Sequence, residues 1–365
     1  EVDINCPEGA DFQDEKRGVA RIYAVDGYSA GWCTGSLVNN YNEDGTPYFL
    51  TADHCGGSAS TTSLNQWIFY FNYEGSTCGY SGSEPSYNSI TGCSRVARAP
   101  LDGGSDFLLL ELNNTPPSNY NVVYNGWRAN NYGGTGGVGI HHPYGDIKKI
   151  STYTATPQTS TYYGQNETGA SNAHWTVYWV ETTTNHGVTE GGSSGSPLFD
   201  SNGIIFGTLS GGSSYCDSPN SADLYGKFSY HWTSNGSSSS EQLEPWLGNG
   251  TTEIGMYDPN NTGVNAQFTA SPTTVSPGGV VQFTNQSTGN PTGYSWSFPG
   301  GSPNSSNAVN PSITYNTVGT YNVSLTVTGS GSSDTETKNG YITVIEGATA
   351  FSLDFEACTD FQVDN

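Results

Sequence analysis

The chain has 365 residues, which is too long for one ordinary domain and indicates two or three. Its 10 Lys and Arg residues against 33 Asp and Glu residues give a formal charge of −23. That balance excludes nucleic-acid binding and attachment to anionic lipid as the main function. The 48 glycines and the 13% of aromatic residues favour short strands joined by tight turns over helical bundles.

Residues 1–258 have the pattern of one β-rich unit, a barrel or a sandwich, in which turns rich in Gly, Asn and Ser separate apolar runs. The clearest runs are Trp67 to Tyr73, Phe107 to Leu112, Val177 to Val180 and Ile204 to Leu209. A helix is predicted over 241–247, where Gly248 would stop it.

Residues 259–264 have the composition of a linker. Beyond them Tyr294, Trp296 and Phe298 alternate with other residues, and a second alternating run extends from Tyr321 to Val327. Short runs of this kind, bounded by Gly and Pro, predict a small two-sheet sandwich over 265–346. Residues 347–365 begin like a further strand, and we interpret them as the start of a third domain.

Seven cysteines are spread along the chain without a Cys-x-x-Cys pair, which argues against zinc knuckles and thioredoxin-type redox sites. Isolated cysteines in such a composition predict disulfides and a compartment outside the cytoplasm. Since the count is odd, at least one cysteine has no partner within the chain. No run of eighteen apolar residues and no N-terminal leader is present. We therefore expect a mature form from which a signal and a propeptide have been removed.

His54 is the first candidate catalytic residue. A disulfide from Cys55, which follows it directly, to Cys33 would clamp the histidine loop onto a neighbouring strand. A general base needs such a fixed orientation. Asp106 opens the apolar strand that starts at Phe107. From there its carboxylate would be buried against the imidazole and would select the tautomer that accepts a proton.

Ser194 is the third candidate and lies in a Gly-rich turn, 191–195. Such a turn presents the serine hydroxyl, and its amides converge on a developing oxyanion. Each of the three motifs alone has an ordinary structural explanation, because single histidines, capping aspartates and Gly/Ser loops are common. Their conjunction in the order His, Asp, Ser, with a cysteine beside the histidine, favours a catalytic triad.

Most of residues 1–250 resembles the chymotrypsin-fold serine endopeptidases, and among them the bacterial lysyl endopeptidase group. The segments that carry the resemblance are 6–9, 33–40, 105–107, 139–143, 187–190 and the loop around Ser194. It implies an all-β fold of two six-stranded barrels with the active site between them. It also implies that His54 is the general base, Asp106 its orienting group and Ser194 the nucleophile, with the N–H groups of Gly192 and Ser194 forming the oxyanion hole.

Two departures from the wider family concern activation and specificity. Ser193 stands where trypsin-like enzymes carry an aspartate that pairs with a new N-terminus, so we expect maturation of the zymogen to consist of removing an inhibitory propeptide. Val188 stands where trypsin keeps its pocket carboxylate. In the lysyl endopeptidase group the charge comes from an Asp-x-Tyr-Gly segment, which is present here at 223–226. The resemblance therefore assigns Asp223 to the base of the pocket, with a solvated turn residue as the alternative.

A carboxylate in a desolvated slot favours a cationic side chain, which predicts cleavage after Lys and leaves Arg open as a second substrate residue. The histidine and tryptophan that flank the lysine site in the family are replaced here by Ser210 and Tyr163. We expect backbone groups of Leu209, Ser210 and Gly211 to bind the substrate as an added strand.

The resemblance further implies a set of disulfides. These are Cys6 with Cys78, Cys33 with Cys55 and, because the family's partner for Cys216 precedes this sequence, Cys216 with Cys93. Cys358 is then left over, and the domain that follows would supply its partner.

Residues 265–346 resemble a PKD domain. The family's Trp-x-Phe-Gly-x-Gly core corresponds to residues 296–301, and Asn310-Pro311 and the segment 319–323 follow it. The resemblance implies an Ig-like sandwich that serves as a spacer or binds insoluble protein or polysaccharide. The segment 351–356 resembles the opening of the cleaved-adhesin or jelly-roll modules of secreted bacterial proteases.

We therefore predict a secreted, monomeric bacterial serine endopeptidase that acts on protein and peptide substrates. Neither a cofactor nor a metal is expected, since the adjacent His141 and His142 face opposite sides of a strand and have no carboxylate or cysteine at ligand spacing. Nucleic acid and membrane are not expected partners. Two alternatives stay open: a non-catalytic adhesin on a protease-like scaffold, and a serine protease of different primary specificity.

Overall fold

The computed structural model describes residues 1–260, 263–289, 291–329 and 332–346. The chain divides into two compact units, Glu1–Asn261 and Thr262–Asn365, and the division falls inside the segment predicted as a linker. The predicted start of a third domain lies outside the described residues. Within the described part of the chain, every helix is too short to cross a membrane.

The first unit consists mainly of short strands. They are β1 (Val2–Asp3), β2 (Val19–Asp26), β3 (Ser29–Leu37), β4 (Tyr48–Thr51), β5 (Ile68–Phe71), β6 (Asn88–Thr91), β7 (Cys93–Ala99), β8 (Phe107–Leu112), β9 (Trp127–Arg128), β10 (Gly137–His141), β11 (Lys149–Tyr153), β12 (Gln158–Ser160), β13 (His174–Tyr178), β14 (Pro197–Asp200), β15 (Ile205–Gly212), β16 (Ala222–Lys227) and β17 (Glu253–Ile254). The helices are α1 (Thr61–Leu64), α2 (Phe228–Thr233) and α3 (Glu244–Leu247), with 3-10 turns at Pro7–Phe12, Glu15–Gly18, Asp53–Cys55, Ser118–Tyr120, Pro143–Gly145 and Ser239–Glu241.

These strands form the two barrels of a chymotrypsin-like fold. The first is a seven-stranded sheet in the order β6-β5-β2-β3-β4-β8-β7. The second is a ten-stranded sheet whose main path is β1-β11-β10-β14-β15-β16-β13-β12, to which β9 and β17 are attached. It has more than the six strands implied by the resemblance, and the short β1 and β17 from the two ends of the unit are among the additional ones.

A shared hydrophobic core joins the two barrels. Leu50 and Leu109 of the first sheet belong to one buried cluster with Ile140 and Phe199 of the second, and all four are at most 2% exposed. Burial of an aliphatic or aromatic side chain stabilises a fold by about 1.5–3 kcal/mol. This core fixes the barrels against each other, so that the loops at their facing ends are held in register.

The second unit is the expected Ig-like sandwich. Its strands are β18 (Phe268–Ser271), β19 (Thr274–Val275), β20 (Gly279–Asn285), β21 (Gly293–Ser297), β22 (Gly301–Ser302), β23 (Ser305–Ser306), β24 (Ser312–Tyr315), β25 (Gly319–Gly329) and β26 (Ser332–Val344). A four-stranded sheet, β18-β20-β24-β22, faces a five-stranded sheet, β19-β26-β25-β21-β23. The alternating residues of the sequence, among them Trp296, Phe298 and Leu325, are buried in its core.

Candidate active site

The pairing of β4 with β8 places His54 beside Asp106. Thr51 of β4 is the partner of Leu108 in β8, so the chain after Thr51 and the chain before Leu108 emerge at the same end of the sheet. Asp106 Oδ2 lies 2.8 Å from His54 Nδ1, and Oδ1 accepts the backbone N–H of His54 at 3.0 Å. Asp106 is fully buried, and its φ of 64° is left-handed, a conformation that costs a residue with a side chain roughly 1–2 kcal/mol.

The two side chains set each other's protonation. Burial lowers the pKa of His54, but the charge of Asp106 and its hydrogen bond outweigh burial and raise that pKa above its ordinary value. Burial raises the pKa of Asp106, and the attraction of His54 and its hydrogen bonds more than reverse this effect. The carboxylate therefore stays ionised and holds the proton on Nδ1, which leaves Nε2 as the basic nitrogen of the neutral ring. The His54 side chain keeps 30% of its surface exposed, so a substrate can reach it.

The Ser194 turn lies against the histidine loop. Thr34 of β3 donates its backbone N–H to the Ser194 carbonyl at 2.8 Å. Its neighbour Cys33 is disulfide-bonded to Cys55, the residue after His54. The structure thus pairs His54 with Asp106 and places the Ser194 turn against the strand that is tied to the histidine loop.

Two glycines give the nucleophile turn its shape. Gly192 has a φ of 94° and Gly195 a φ of 79°, a region that favours glycine. A Cβ on Gly195 would also lie 2.1 Å from Thr51 Oγ1. The carbonyl of Gly192 accepts the Thr34 hydroxyl at 2.9 Å. The backbone of the turn is therefore fixed on both sides of Ser194, as a site for a developing negative charge requires.

Ser193 is a buried structural residue. Its Oγ lies 2.7 Å from Nδ1 of His141 and accepts the N–H of Glu190 at 3.1 Å. The other ring nitrogen of His141 lies 3.1 Å from Ser151 Oγ. Burial lowers the pKa of His141 to about 3, so its ring is neutral and is held by two serine hydroxyls.

Asp223 is fully buried at the centre of a hydrogen-bonded cluster. Its Oδ2 accepts Trp179 Nε1 at 2.6 Å, Thr189 Oγ1 at 2.7 Å and Ser214 Oγ at 2.6 Å, and Oδ1 accepts the backbone N–H of Ser214 at 3.1 Å. Burial raises the pKa of Asp223 and these hydrogen bonds oppose the rise. A Cβ on Gly212 would lie 2.0 Å from Oδ1, so glycine is needed there. Asp223 is therefore not a solvated turn residue.

The three side chains that donate to Asp223 were missed by sequence reasoning. Trp179, Thr189 and Ser214 come from three separate segments of the second barrel. Only Thr189 gave a signal, since it lies in a segment that carries the family resemblance. Trp179 and Ser214 become recognisable only when the strands are paired.

Ser210 lies at a β-bulge and turns towards the triad. The register of β15 on β16 shifts between Leu209 and Gly211, and a bulge of this kind re-aims a side chain. Ser210 Oγ lies 3.2 Å from His174 Nε2. A hydrogen bond from Ser210 is also among those that lower the pKa of Asp106 against its burial.

The expectation that Leu209 offers its backbone to the substrate is wrong. Its N–H donates to the carbonyl of Ser196 at 2.9 Å, and its carbonyl accepts the N–H of Gly195 at 2.8 Å. Both groups are consequently used to hold the nucleophile turn. Ser210 lies outside the paired ladder and keeps its predicted role as a hypothesis, as does Gly211.

The predicted place of Tyr163 beside the specificity pocket stays a hypothesis. Its side chain is 76% exposed, because successive residues of an extended segment point to opposite sides. Its neighbour Tyr162 faces the site. The Tyr162 ring lies 5.7 Å from the ring of His174, and its hydroxyl would lie 3.4 Å from a Cβ on Gly211.

Two of the three expected disulfides are present, Cys6–Cys78 and Cys33–Cys55. The expected pair of Cys93 with Cys216 is wrong, since both are free thiols. Cys93 is buried in the first barrel, where burial raises its pKa to about 12, whereas Cys216 is exposed beyond β15 of the second barrel. Cys358 lies outside the described residues.

One group among the described residues brings three possible metal ligands together: Glu1, Glu190 and Cys216 have ligand atoms within 4.8 Å of one another. These residues are exposed or partly exposed, and acidic groups at a surface often approach one another without an ion. We do not assign a metal site to them.

The chain is similar to several known proteins. The chain is 35% identical over 241 residues to the lysyl endopeptidase of Pseudomonas aeruginosa, covering 63% of this chain and 49% of that protein, so it spans about half the length of this curated relative. Among solved structures, it is similar to the protease Anisep from Arthrobacter nicotinovorans (21% identity, 58% of this chain and 90% of that chain, TM-score 0.41). It is also similar to mouse neuropsin (17% identity, 64% and 96%, TM-score 0.40).

Two family assignments divide the chain in the same way as its structure. Residues 265–341 match the PKD domain, which lies wholly within the second unit. Residues 1–226 match the family described as lysyl endopeptidase, C-terminal domain, a stretch that includes every residue of the candidate active site. The chain belongs to the lysyl endopeptidase C-terminal domain family.

Proposed function

We propose that the first unit is the catalytic unit of a secreted serine endopeptidase that cleaves after basic residues. His54 acts as the general base, Asp106 orients it and Ser194 is the nucleophile. The observation that carries this proposal is the doubly hydrogen-bonded His54–Asp106 pair, on a loop tied to the Ser194 turn. Family membership supports it, because the matched residues include all three.

The proposed reaction is acyl transfer in two halves. Ser194 Oγ attacks the carbonyl carbon of the scissile bond while its proton passes to His54 Nε2, and the N–H groups of Gly192 and Ser194 stabilise the charge on the carbonyl oxygen. His54 then gives the proton to the leaving amine, the C–N bond breaks and the acyl-enzyme remains. Water attacks this ester as His54 takes its proton, and the proton returns to Ser194 when the acid leaves. Asp106 stays ionised throughout and stabilises the imidazolium.

We further propose that Asp223 selects Lys rather than Arg before the scissile bond. Its carboxylate already accepts four hydrogen bonds, and a carboxylate has about four acceptor positions in all. A guanidinium binds best through two parallel N–H bonds to both oxygens, and Oδ2, which already accepts three hydrogen bonds, has no position left for one of them. An ammonium is a compact charge that can bind the hydroxyl oxygens of Thr189 and Ser214, whose hydrogens point towards Asp223.

Secretion is part of this proposal. Two disulfides within one unit fit an oxidising compartment. For the second unit, a role as a spacer or in binding insoluble protein or polysaccharide stays a prediction from the PKD family.

A cleavage-site profile tests the proposal. The full chain and its Ser194→Ala variant are incubated with a peptide library, and the cleaved bonds are identified by mass spectrometry. We expect cleavage after Lys, slower cleavage after Arg, and none by the variant. An inactive wild-type protein would support the alternative of a protease-like scaffold. Cleavage after neutral or acidic residues would contradict the role of Asp223.

A further inference from the structure

The start of the Ser194 turn, Gly191 and Gly192, which we call the oxyanion loop, packs directly on a tight turn, 142–146. Tyr144 donates its backbone N–H to the Gly191 carbonyl at 2.5 Å. A Cβ on Gly192 would lie 2.9 Å from the backbone nitrogen of Tyr144 and 3.0 Å from that of Gly145. The position of the Gly192 amide, a proposed oxyanion donor, is therefore set by where this turn lies.

The turn is closed by its own hydrogen bonds, from the N–H of Gly145 to the carbonyl of His142 at 3.2 Å and from the N–H of Asp146 to the carbonyl of Pro143 at 2.7 Å, but it contains one unfavourable residue. Tyr144 has a left-handed φ of 51°, which is unfavourable for an aromatic residue, and its side chain is 71% exposed. The aspartate that orders the corresponding loop in trypsin-like enzymes is replaced by Ser193, whose hydroxyl is bonded to His141. A contact from the first barrel adds a further support.

Arg21 of β2 supplies this support from the first barrel. It is 5% exposed, and its Nη1 donates to the Gly145 carbonyl at 2.6 Å. The guanidinium carbon lies 4.5, 4.4 and 3.6 Å from the ring centres of Trp32, Tyr70 and Tyr73. Aromatic faces attract a cation without neutralising it, so the guanidinium is held in place and keeps its charge for the carbonyl.

Trp32 connects this aromatic cage to both sides of the site. A Cβ on Gly145 would lie 2.6 Å from a ring atom of Trp32, so the indole covers the same turn that Arg21 binds. In sequence Trp32 precedes Cys33, whose disulfide to Cys55 holds the loop of His54. The cage thus fixes the turn relative to the catalytic loop.

We propose that Arg21 is a positioning residue for the oxyanion hole: held by Trp32, Tyr70 and Tyr73, it fixes the turn at Gly145 and thereby the backbone of Gly191 and Gly192. This inference rests on the proposed function. Because the turn contacts the oxyanion loop, Arg21 acts on the stabilisation of the tetrahedral intermediate. It touches neither Asp223 nor the His54–Asp106 pair, so it has no effect on substrate selection or on the imidazole pKa.

The test compares Arg21→Met, which keeps the aliphatic stem on the aromatic rings, with Arg95→Met as a control. Arg95 is an exposed residue of the same barrel that also donates to a backbone carbonyl, that of Ala59 at 2.6 Å. For Arg21→Met we expect kcat on a Lys-containing peptide to fall about 10- to 100-fold, since a small misplacement of an oxyanion donor has an effect of this order. Affinity for a peptide aldehyde, whose hemiacetal oxygen occupies the oxyanion hole, should fall by the same factor.

In Arg21→Met, KM and the affinity for a lysine-like amine that binds only the pocket should stay within about twofold of wild type. The acid-side midpoint of the pH dependence of kcat/KM should not move. Arg95→Met should match wild type in all measurements. An Arg21→Met protein with wild-type kcat and aldehyde affinity overturns the inference, and so does one that loses amine binding and aldehyde binding equally. If wild type itself is inactive, the proposed function fails instead.

Trp32→Leu provides the second variant in case Arg21→Met does not fold. Trp32 is only partly buried, and its replacement leaves the Arg21 hydrogen bond possible but less restrained. We expect a several-fold loss of kcat with a matching loss of aldehyde affinity. Wild-type values of both in this variant would contradict the role of the cage.

Discussion

Asp106 holds both the ring and the backbone of His54, with one carboxylate oxygen 2.8 Å from Nδ1 and the other 3.0 Å from the backbone nitrogen. The same group therefore selects the tautomer and fixes the loop. Asp106 is itself buried in a left-handed conformation, so the surrounding fold determines its position. Through its two hydrogen bonds it then determines the orientation of the imidazole.

The pH dependence of kcat/KM tests this pair. His54 must be neutral to accept a proton, and its pKa is raised above the ordinary value of about 6.5. We therefore expect activity to be lost as the pH falls through a midpoint above 6.5. In Asp106→Asn the attraction is gone and burial remains, so the midpoint should move to lower pH while kcat falls by about four orders of magnitude. An unchanged midpoint in Asp106→Asn would contradict the assignment.

Short-range features of the sequence were enough to single out the proposed catalytic residues. His54 is flanked by Cys55, Asp106 opens a strand and Ser194 lies between glycines, so each carries its own local signal. The disulfide between Cys33 and Cys55 could be predicted from the sequence for the same reason. The alternation of Trp296 and Phe298 likewise identified the core of the sandwich.

Features that depend on how distant segments pair could not be predicted from the sequence. Pairing the leftover cysteines Cys93 and Cys216 by counting failed because the two lie in different barrels. The contact of Tyr162 with His174 could not be predicted because it depends on how the segment around Tyr162 lies against the strand of His174. The role of Arg21 rests on the ring of Trp32 in β3 and on the rings of Tyr70 in β5 and Tyr73 just after it, and the position of Arg21 in β2 gives no sign of this.

The Asp223 carboxylate is the proposed source of basic specificity. Asp223→Asn keeps the size of the side chain and removes the charge, so kcat/KM on Lys substrates should fall about 10²- to 10³-fold, as expected for removing one partner of a buried charge pair. The exposed Asp217, in the loop before β16, provides the control, and Asp217→Asn should match wild type. Phosphonylation of Ser194 by a small reagent without a side chain should proceed at the wild-type rate in both variants. Persistent Lys cleavage by Asp223→Asn would place the selecting charge elsewhere.

The hydroxyls around Asp223 should set the ratio of Lys to Arg cleavage. Thr189→Ala removes one of the three donors to Oδ2, which frees an acceptor position and space for a guanidinium. We expect the ratio of kcat/KM for Arg over Lys peptides to rise about tenfold, the equivalent of one hydrogen bond to a charged group. Thr183→Ala, an exposed threonine six residues earlier, is the matched control. A ratio that falls or stays constant would show that acceptor capacity does not limit Arg binding.

Glu15 should make the first unit less stable as the pH rises. Its carboxyl packs against Gly203, where a Cβ would lie 2.0 Å from Oε1, and burial raises its pKa to about 7. In the unfolded chain the pKa is near 4.5, so the folded state binds the proton more tightly. The contribution of this proton to the free energy of unfolding is therefore lost as the pH rises from about 4.5 to 7.

Glu15→Gln keeps the shape and cannot ionise. In a Ser194→Ala background, which prevents self-digestion, urea unfolding should show this variant more stable than its parent at pH 8, by on the order of 1 kcal/mol. The two proteins should be nearly equal at pH 4.5, where the parent's Glu15 is protonated when folded. The exposed Glu84→Gln serves as the control and should show no such pH-dependent difference. A difference for Glu15→Gln that is the same at both pH values would mean that the carboxyl is not the titrating group.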